Sequence, residues 1–98
     1  MTRLEAFCKA FGWQGGTIHQ VAAETGCKAE DLLTGKPAKT GWDSDHCGGW
    51  FAGRTCTVEF NRHTNFPSRK GNLDFWLGVA DGIIEQEQAA GTYQGTKP

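Results

Sequence analysis

Apolar positions recur at helical spacing along most of this chain. Leu4, Phe7, Cys8 and Phe11 fall at i, i+3, i+4 and i+7, one face of a helix. Thr2 and Glu5 form a capping box at its start, and Gly12 stops it. A second capping box, Thr17 with Gln20, opens a helix whose face is Ile18, Val21, Ala22 and Thr25, ended by Gly26. A third short helix is predicted from about Lys28 to Thr34, with Leu32 and Leu33 buried and Gly35 closing it. The stretch 35–43 holds Pro37 and two glycines and reads as a connector, with Trp42 predicted to pin it to the core. Asp43 or Ser44 caps a fourth helix through about Gly53. Gly48, Gly49 and Gly53 weaken that helix by up to about 1 kcal/mol each relative to alanine. Close approach of another helix is the physical reason to keep them.

Beyond that helix the period changes. Thr55-Cys-Thr-Val-Glu-Phe60 alternates and is rich in β-branched residues, so a short extended segment is expected near 55–60. Residues 61–71 read as a loop, with Pro67 holding Phe66 extended. Asn72 caps a last helix with Asp74 in its first turn. Leu73, Trp76, Leu77, Ala80, Ile83 and Ile84 form a wide stripe, with Phe75 and Val79 to one side, so this helix should be buried on more than one face. Gly78 and Gly82 lie one turn apart and offer a seat for another helix. The helix is expected to end near Gly91, leaving 92–98 as a flexible tail.

The expected fold is therefore mainly α: a single domain of about five short helices, with at most that one extended segment. Within its 98 residues, 1–34 form a helical N-terminal unit, 35–43 a connector, 44–91 a glycine-bearing helix-loop-helix and 92–98 the tail. Residues 47–84 hold two of the four tryptophans and four of the six phenylalanines, which places the expected core there, with the rest added to it.

Composition narrows the function. No run of 18 apolar residues exists, so no membrane span is expected, and the first residues lack an apolar signal core. A cytoplasmic protein with four reduced cysteines, at 8, 27, 47 and 56, is the expectation. Cys8 is expected to serve packing, and His19 to face solvent. His46, Cys47, Cys56 and His63 are the weak candidates for a zinc site, but no Cys-x-x-Cys pair preorganises one. A Cys47–Cys56 disulfide is disfavoured by a reducing compartment. Cys47 beside His46 does not make a nucleophile and base, since neighbours on a helix point apart. No phosphate-cradling loop is present. The chain is thus expected to be no enzyme, to carry no metal or other cofactor, and to take no small-molecule substrate.

The net charge of −1 is unevenly spread. Residues 54–72 carry Arg54, Arg62, Arg69 and Lys70 against Glu59, while residues 73–98 carry Asp74, Asp81, Glu85 and Glu87 against Lys97. The basic loop interleaves Arg54, Arg62, His63, Arg69 and Lys70 with Phe60, Asn65 and Phe66. Arginine beside aromatics suits RNA, where bases stack and phosphates pair. It equally suits a protein interface. These eight residues are the candidate binding surface, and a solvated loop is the plain alternative.

Two resemblances bear on the partner. Residues 17–34 resemble a helix-turn-helix: Ala22 stands four residues before Gly26, and Leu32 falls where a recognition helix packs back. The candidate recognition helix, Lys28-Ala-Glu-Asp-Leu-Leu, would turn Glu30 and Asp31 toward phosphates, which opposes DNA binding. A plain packing unit accounts for it better. Residues 49–82 resemble the ribosome modulation factor family of small bacterial and phage proteins. Gly49, Ala52 and Gly53 match its Gly-x-x-Ala-Gly helix, with Arg54 following. Asn65-Phe66-Pro67 stands where that family carries Asn-Pro-aromatic or Cys-Pro-aromatic, with proline and aromatic exchanged. Phe75, Gly78 and Val79 stand for its Trp-x-x-Gly-Trp, with Trp76 displaced by one. The resemblance implies a helix-loop-helix and a ribosome or RNA-protein partner. A small regulator docking on a larger bacterial complex is the resulting expectation. The rivals are a phage-encoded inhibitor of a host protein or defence complex, of anti-CRISPR or antirepressor type, and a DNA-binding regulator using 17–34.

Overall fold

The computed structural model describes residues 1–55 and 69–96, with side chains up to residue 89. Five helices account for most of them: α1 (Arg3–Phe11), α2 (Ile18–Thr25), α3 (Ala29–Thr34), α4 (Asp45–Arg54) and α5 (Leu73–Thr96). The fold is mainly α, and no strand occurs among the described residues. The extended segment expected near 55–60 lies outside them, apart from Thr55, which caps α4.

Local signals set the helix starts. Both capping boxes form: Thr2 and Thr17 accept from the backbones of Glu5 and Gln20, whose side chains reach back to the cap amides. Ser44, rather than Asp43, caps α4 through the Cys47 amide at 3.1 Å. Asn72 Oδ1 accepts from the Phe75 amide at 3.3 Å and opens α5. α1 and α2 end on Gly12 and Gly26 in the left-handed conformation.

α5 is the axis of the molecule. Phe75, Trp76, Leu77, Val79, Ala80 and Ile83 are all buried, so it is covered on more than one face, as its sequence implies. One cluster joins them, Leu77 excepted, to Ala6, Phe7, Ala10 and Phe11 of α1, Val21 of α2 and Leu32 of α3. The N-terminal half is therefore part of the core rather than an addition to it. Trp76 meets Phe11 at 5.5 Å and Phe75 edge-on at 5.3 Å. Its indole N–H donates to the Arg69 carbonyl at 3.1 Å, so burying this side chain strands no donor. Lys9 pairs with Glu87 across α1 and α5. The Arg3 guanidinium donates to the carbonyls of Gly35 (2.7 Å) and Leu32 (3.4 Å), closing the C-terminal end of α3 from α1.

α4 and α5 pack backbone to backbone. A Cβ on Gly49 would sit 2.8 Å from the Phe75 carbonyl carbon, and one on Gly53 3.1 Å from that of Val79. In return, a Cβ on Gly78 would sit 2.9 Å from the carbonyl carbon of His46, and one on Gly82 3.0 Å from that of Trp50. Real Cβ atoms do not approach backbone so closely, so these four glycines set the separation of the two helices. Gly48 has another role, for it is exposed with nothing within 4 Å. The register 46 to 78, 50 to 82 rises together on both helices, so the pair is parallel. A helical hairpin would be antiparallel, so α4 and α5 do not form one.

Three further expectations are corrected. Leu33 is 42% exposed, because a helix of six residues turns only one leucine, Leu32, inward. α5 continues through Gly91 to Thr96, where the chain was expected to leave the helix as a tail; a single glycine costs only about 1 kcal/mol and does not end a helix of 24 residues. Trp42 does not pin the connector and is 84% exposed. The Asp74 carboxylate holds the connector instead, accepting from the amides of Ala38 (2.8 Å) and Lys39 (3.1 Å).

Candidate functional site

Because glycines take up the contact between α4 and α5, the larger side chains of α4 lie beside it. His46, Cys47, Trp50 and Phe51 rise on one side, facing Asp81, Ile84 and Glu85 of α5. Thr40, Gly41 and Trp42 of the connector complete a groove of about 610 Å³. That volume lies in the range that receives one or a few side chains or a small ligand.

Two side-chain contacts build the groove's inner edge. His46 Nε2 lies 2.8 Å from Asp81 Oδ2, and the Trp50 indole N–H donates to Glu85. His46 and Trp50 are one turn apart on α4, as Asp81 and Glu85 are on α5. The parallel register therefore repeats the same cross-helix contact twice. Trp50 packs edge-on against Phe51 at 5.1 Å, and the Arg54 guanidinium lies 5.0 Å from the Trp50 ring centre.

The outer edge is a held turn. Gly41 has φ +122°, a conformation that side-chain-bearing residues rarely adopt. The Ser44 hydroxyl donates to the Gly41 carbonyl at 2.8 Å while accepting from the Cys47 amide. With Asp74 binding residues 38 and 39, the turn is tied at both ends. Trp42 stands on it, and Phe51, which lines the same groove, is 47% exposed. The groove thus presents aromatic surface on a fixed frame. The groups lining it that can carry charge are His46, Cys47, Asp81 and Glu85. Asp81 has His46 as a partner; Glu85 has no cationic partner among the described residues.

Of the eight residues expected to form a binding surface, Phe60, Arg62, His63, Asn65 and Phe66 lie outside the described residues. The other three are not brought together. Arg54 lies over Trp50 at the end of α4. Arg69 lies 4.9 Å from the Phe75 ring centre and 3.7 Å from Asp45, at the start of α4. About 14 Å of helix axis separates those two ends. Lys70 is exposed beside Gly26, where the Gly71 amide donates to the Thr25 carbonyl at 2.7 Å.

Of the candidate zinc ligands, Cys56 and His63 also lie outside the described residues, and so does the Cys47–Cys56 pairing. Among the described residues no three His, Cys, Asp or Glu side chains converge as metal ligands. Cys8, Cys27 and Cys47 are free thiols, each partly buried. His46 and Cys47 line the same groove, but His46 Nε2 is directed to Asp81 across the helix pair. His19 is exposed, as expected.

Reasoning from the sequence passed over Trp42, Trp50, Phe51, Asp81 and Glu85 as a unit. A signal was present. Asp81 and Glu85 interrupt the apolar stripe of α5 one turn apart, each three residues after a packing glycine. His46 and Trp50 have the matching spacing on α4.

No protein-family model matches the chain, and neither a curated protein nor a solved structure matches it. No helix among the described residues is long and apolar enough to cross a membrane.

Proposed function

We propose that this chain is a non-enzymatic regulatory binding protein, bacterial or phage type, that docks on a protein component of a larger complex through the groove between α4 and α5. The observation that carries this reading is Trp42, 84% exposed on a turn tied at both ends and lining the same groove as the half-exposed Phe51. Rigid exposed aromatics lose little conformational entropy on binding and dominate the energy of protein interfaces. An inhibitor of a host protein or defence complex fits this reading. Glu85 and Asp81 in the same groove oppose phosphate, so nucleic acid is disfavoured there.

A ribosomal or RNA-protein target is the second reading. It rests on the family resemblance of residues 49–82, and on Arg54 and Arg69, neither of which lines the groove, lying over the rings of Trp50 and Phe75. DNA reading by 17–34 has less support, since α3 is only six residues long and Glu30 is exposed on it.

The test is capture of partners from bacterial lysate by the wild-type chain and by Trp42→Ala/Phe51→Ala, with and without nuclease. A stoichiometric protein that survives nuclease and is lost with the double variant is the expected result. Ribosomal material lost after RNase and retained by the double variant would move the reading to the ribosome.

A further inference from the structure

We infer that the groove receives a lysine or arginine side chain from an extended basic segment of the partner protein. This rests on the docking reading above and adds the chemistry of the group recognised. Three observations point to it. First, no lysine or arginine lines the groove, while Asp81 and Glu85 stand one turn apart along its α5 wall. Glu85 is held by a neutral indole N–H, so its charge is oriented and makes no ion pair among the described residues. Second, the walls are aromatic, and aromatic faces attract organic cations most strongly where water is excluded. The Trp50 ring already takes the Arg54 guanidinium at 5.0 Å, which leaves Trp42 and Phe51 as the aromatic faces open to an entering cation. Third, about 610 Å³ suits one long side chain and an apolar neighbour, not a folded domain. Trp42 and Phe51 would flank the methylene stem of the entering side chain, and Glu85 and Asp81 would meet its charged head. An acidic segment or a phosphate would bring like charge against both carboxylates.

The experiment uses the full chain, isotopically labelled, and three capped octapeptides of alternating Lys-Leu, Glu-Leu and Ser-Leu. Binding is followed through the indole N–H signals of Trp42 and Trp50. The Lys-Leu peptide is expected to bind about tenfold more tightly than the other two. Asp81→Asn/Glu85→Gln keeps an acceptor for His46 and for Trp50 while removing both charges, and is expected to erase that preference. Equal affinity for the three peptides, or a preference untouched by the neutral variant, would overturn the inference. So would a dimer seen by light scattering that Trp42→Ala dissolves, since the groove's occupant would then be a second copy of this chain. If no octapeptide binds but Trp42→Ala/Phe51→Ala still abolishes capture of a protein from lysate, the cation falls and the docking reading stands. If capture survives that double variant, the docking reading falls by itself.

Discussion

Gly48 and Gly49 are adjacent on α4 and make opposite demands of an added methyl group. At Gly48 the new Cβ meets nothing within 4 Å, so Gly48→Ala gains only helix propensity and a less flexible unfolded chain. That gain is about 0.5–1 kcal/mol. At Gly49 the same propensity gain applies, but the Cβ would sit 2.8 Å from the Phe75 carbonyl carbon and 3.0 Å from the Val79 amide nitrogen. Both are backbone atoms and cannot rotate aside, so α4 and α5 must separate. Overpacking of this kind costs about 1–3 kcal/mol or more, and separation also stretches the contacts from His46 to Asp81 and from Trp50 to Glu85. The propensity gain is common to both, so the two variants should differ by the overpacking cost, roughly 1–3 kcal/mol or more, with Gly48→Ala above wild type and Gly49→Ala below it. For a domain of this size that is a gap of roughly 4–24 °C or more in Tm. Calorimetry and urea unfolding of the three chains measure it. Equal stability of Gly48→Ala and Gly49→Ala would refute the view that glycine sets the helix separation.

Arg3→Ala should cost about 1.5 kcal/mol, the worth of hydrogen bonds from a charged group, and should speed amide exchange selectively in α3, whose end Arg3 closes. Asp74→Ala should cost about 1 kcal/mol and free the amides of Ala38 and Lys39 to exchange; unchanged protection there would show that the connector is held by something else. Burial pushes the Cys27 thiol up, with Asp31 adding to the shift and the hydrogen bond with Thr25 opposing it. The neutral thiol is thus favoured in the folded chain. Its contribution is complete below the ordinary thiol range, near pH 8.5, and is lost as pH rises through the higher folded value. Cys27 should therefore be alkylated more slowly at pH 8 than in urea, and Cys27→Ala should flatten the alkaline decline in stability.

Much of the local structure was legible because its causes are local. Thr2 with Glu5, Thr17 with Gln20, and Asn72 each satisfy helix-end amides within three residues, so the pattern alone locates the starts. The packing glycines 49, 53, 78 and 82 were legible as seats for a helix, since only close approach repays their cost. The direction of approach was not, because residues separated by the whole of 55–72 determine it. Trp42 was misplaced for a related reason. An isolated tryptophan in a connector is usually an anchor, and its release here depends on Asp74 taking over that role from 32 residues away. The groove was invisible as a unit because its walls come from the connector, α4 and α5. Only the parallel register brings His46 opposite Asp81 and Trp50 opposite Glu85.

That register also has a kinetic consequence. Each cross-helix contact spans 35 positions of the chain. A hairpin would instead zip from its turn through separations of about ten. Closing the longer loop costs roughly 1 kcal/mol more in chain entropy, incurred before any interhelical contact forms. The seam between α4 and α5 should therefore assemble later than a hairpin's would, yet ahead of the docking of α1 on α5, whose Lys9–Glu87 contact spans 78 positions. The groove exists only once that seam has closed, so the ability to bind waits on the 35-position loop and not on the N-terminal half.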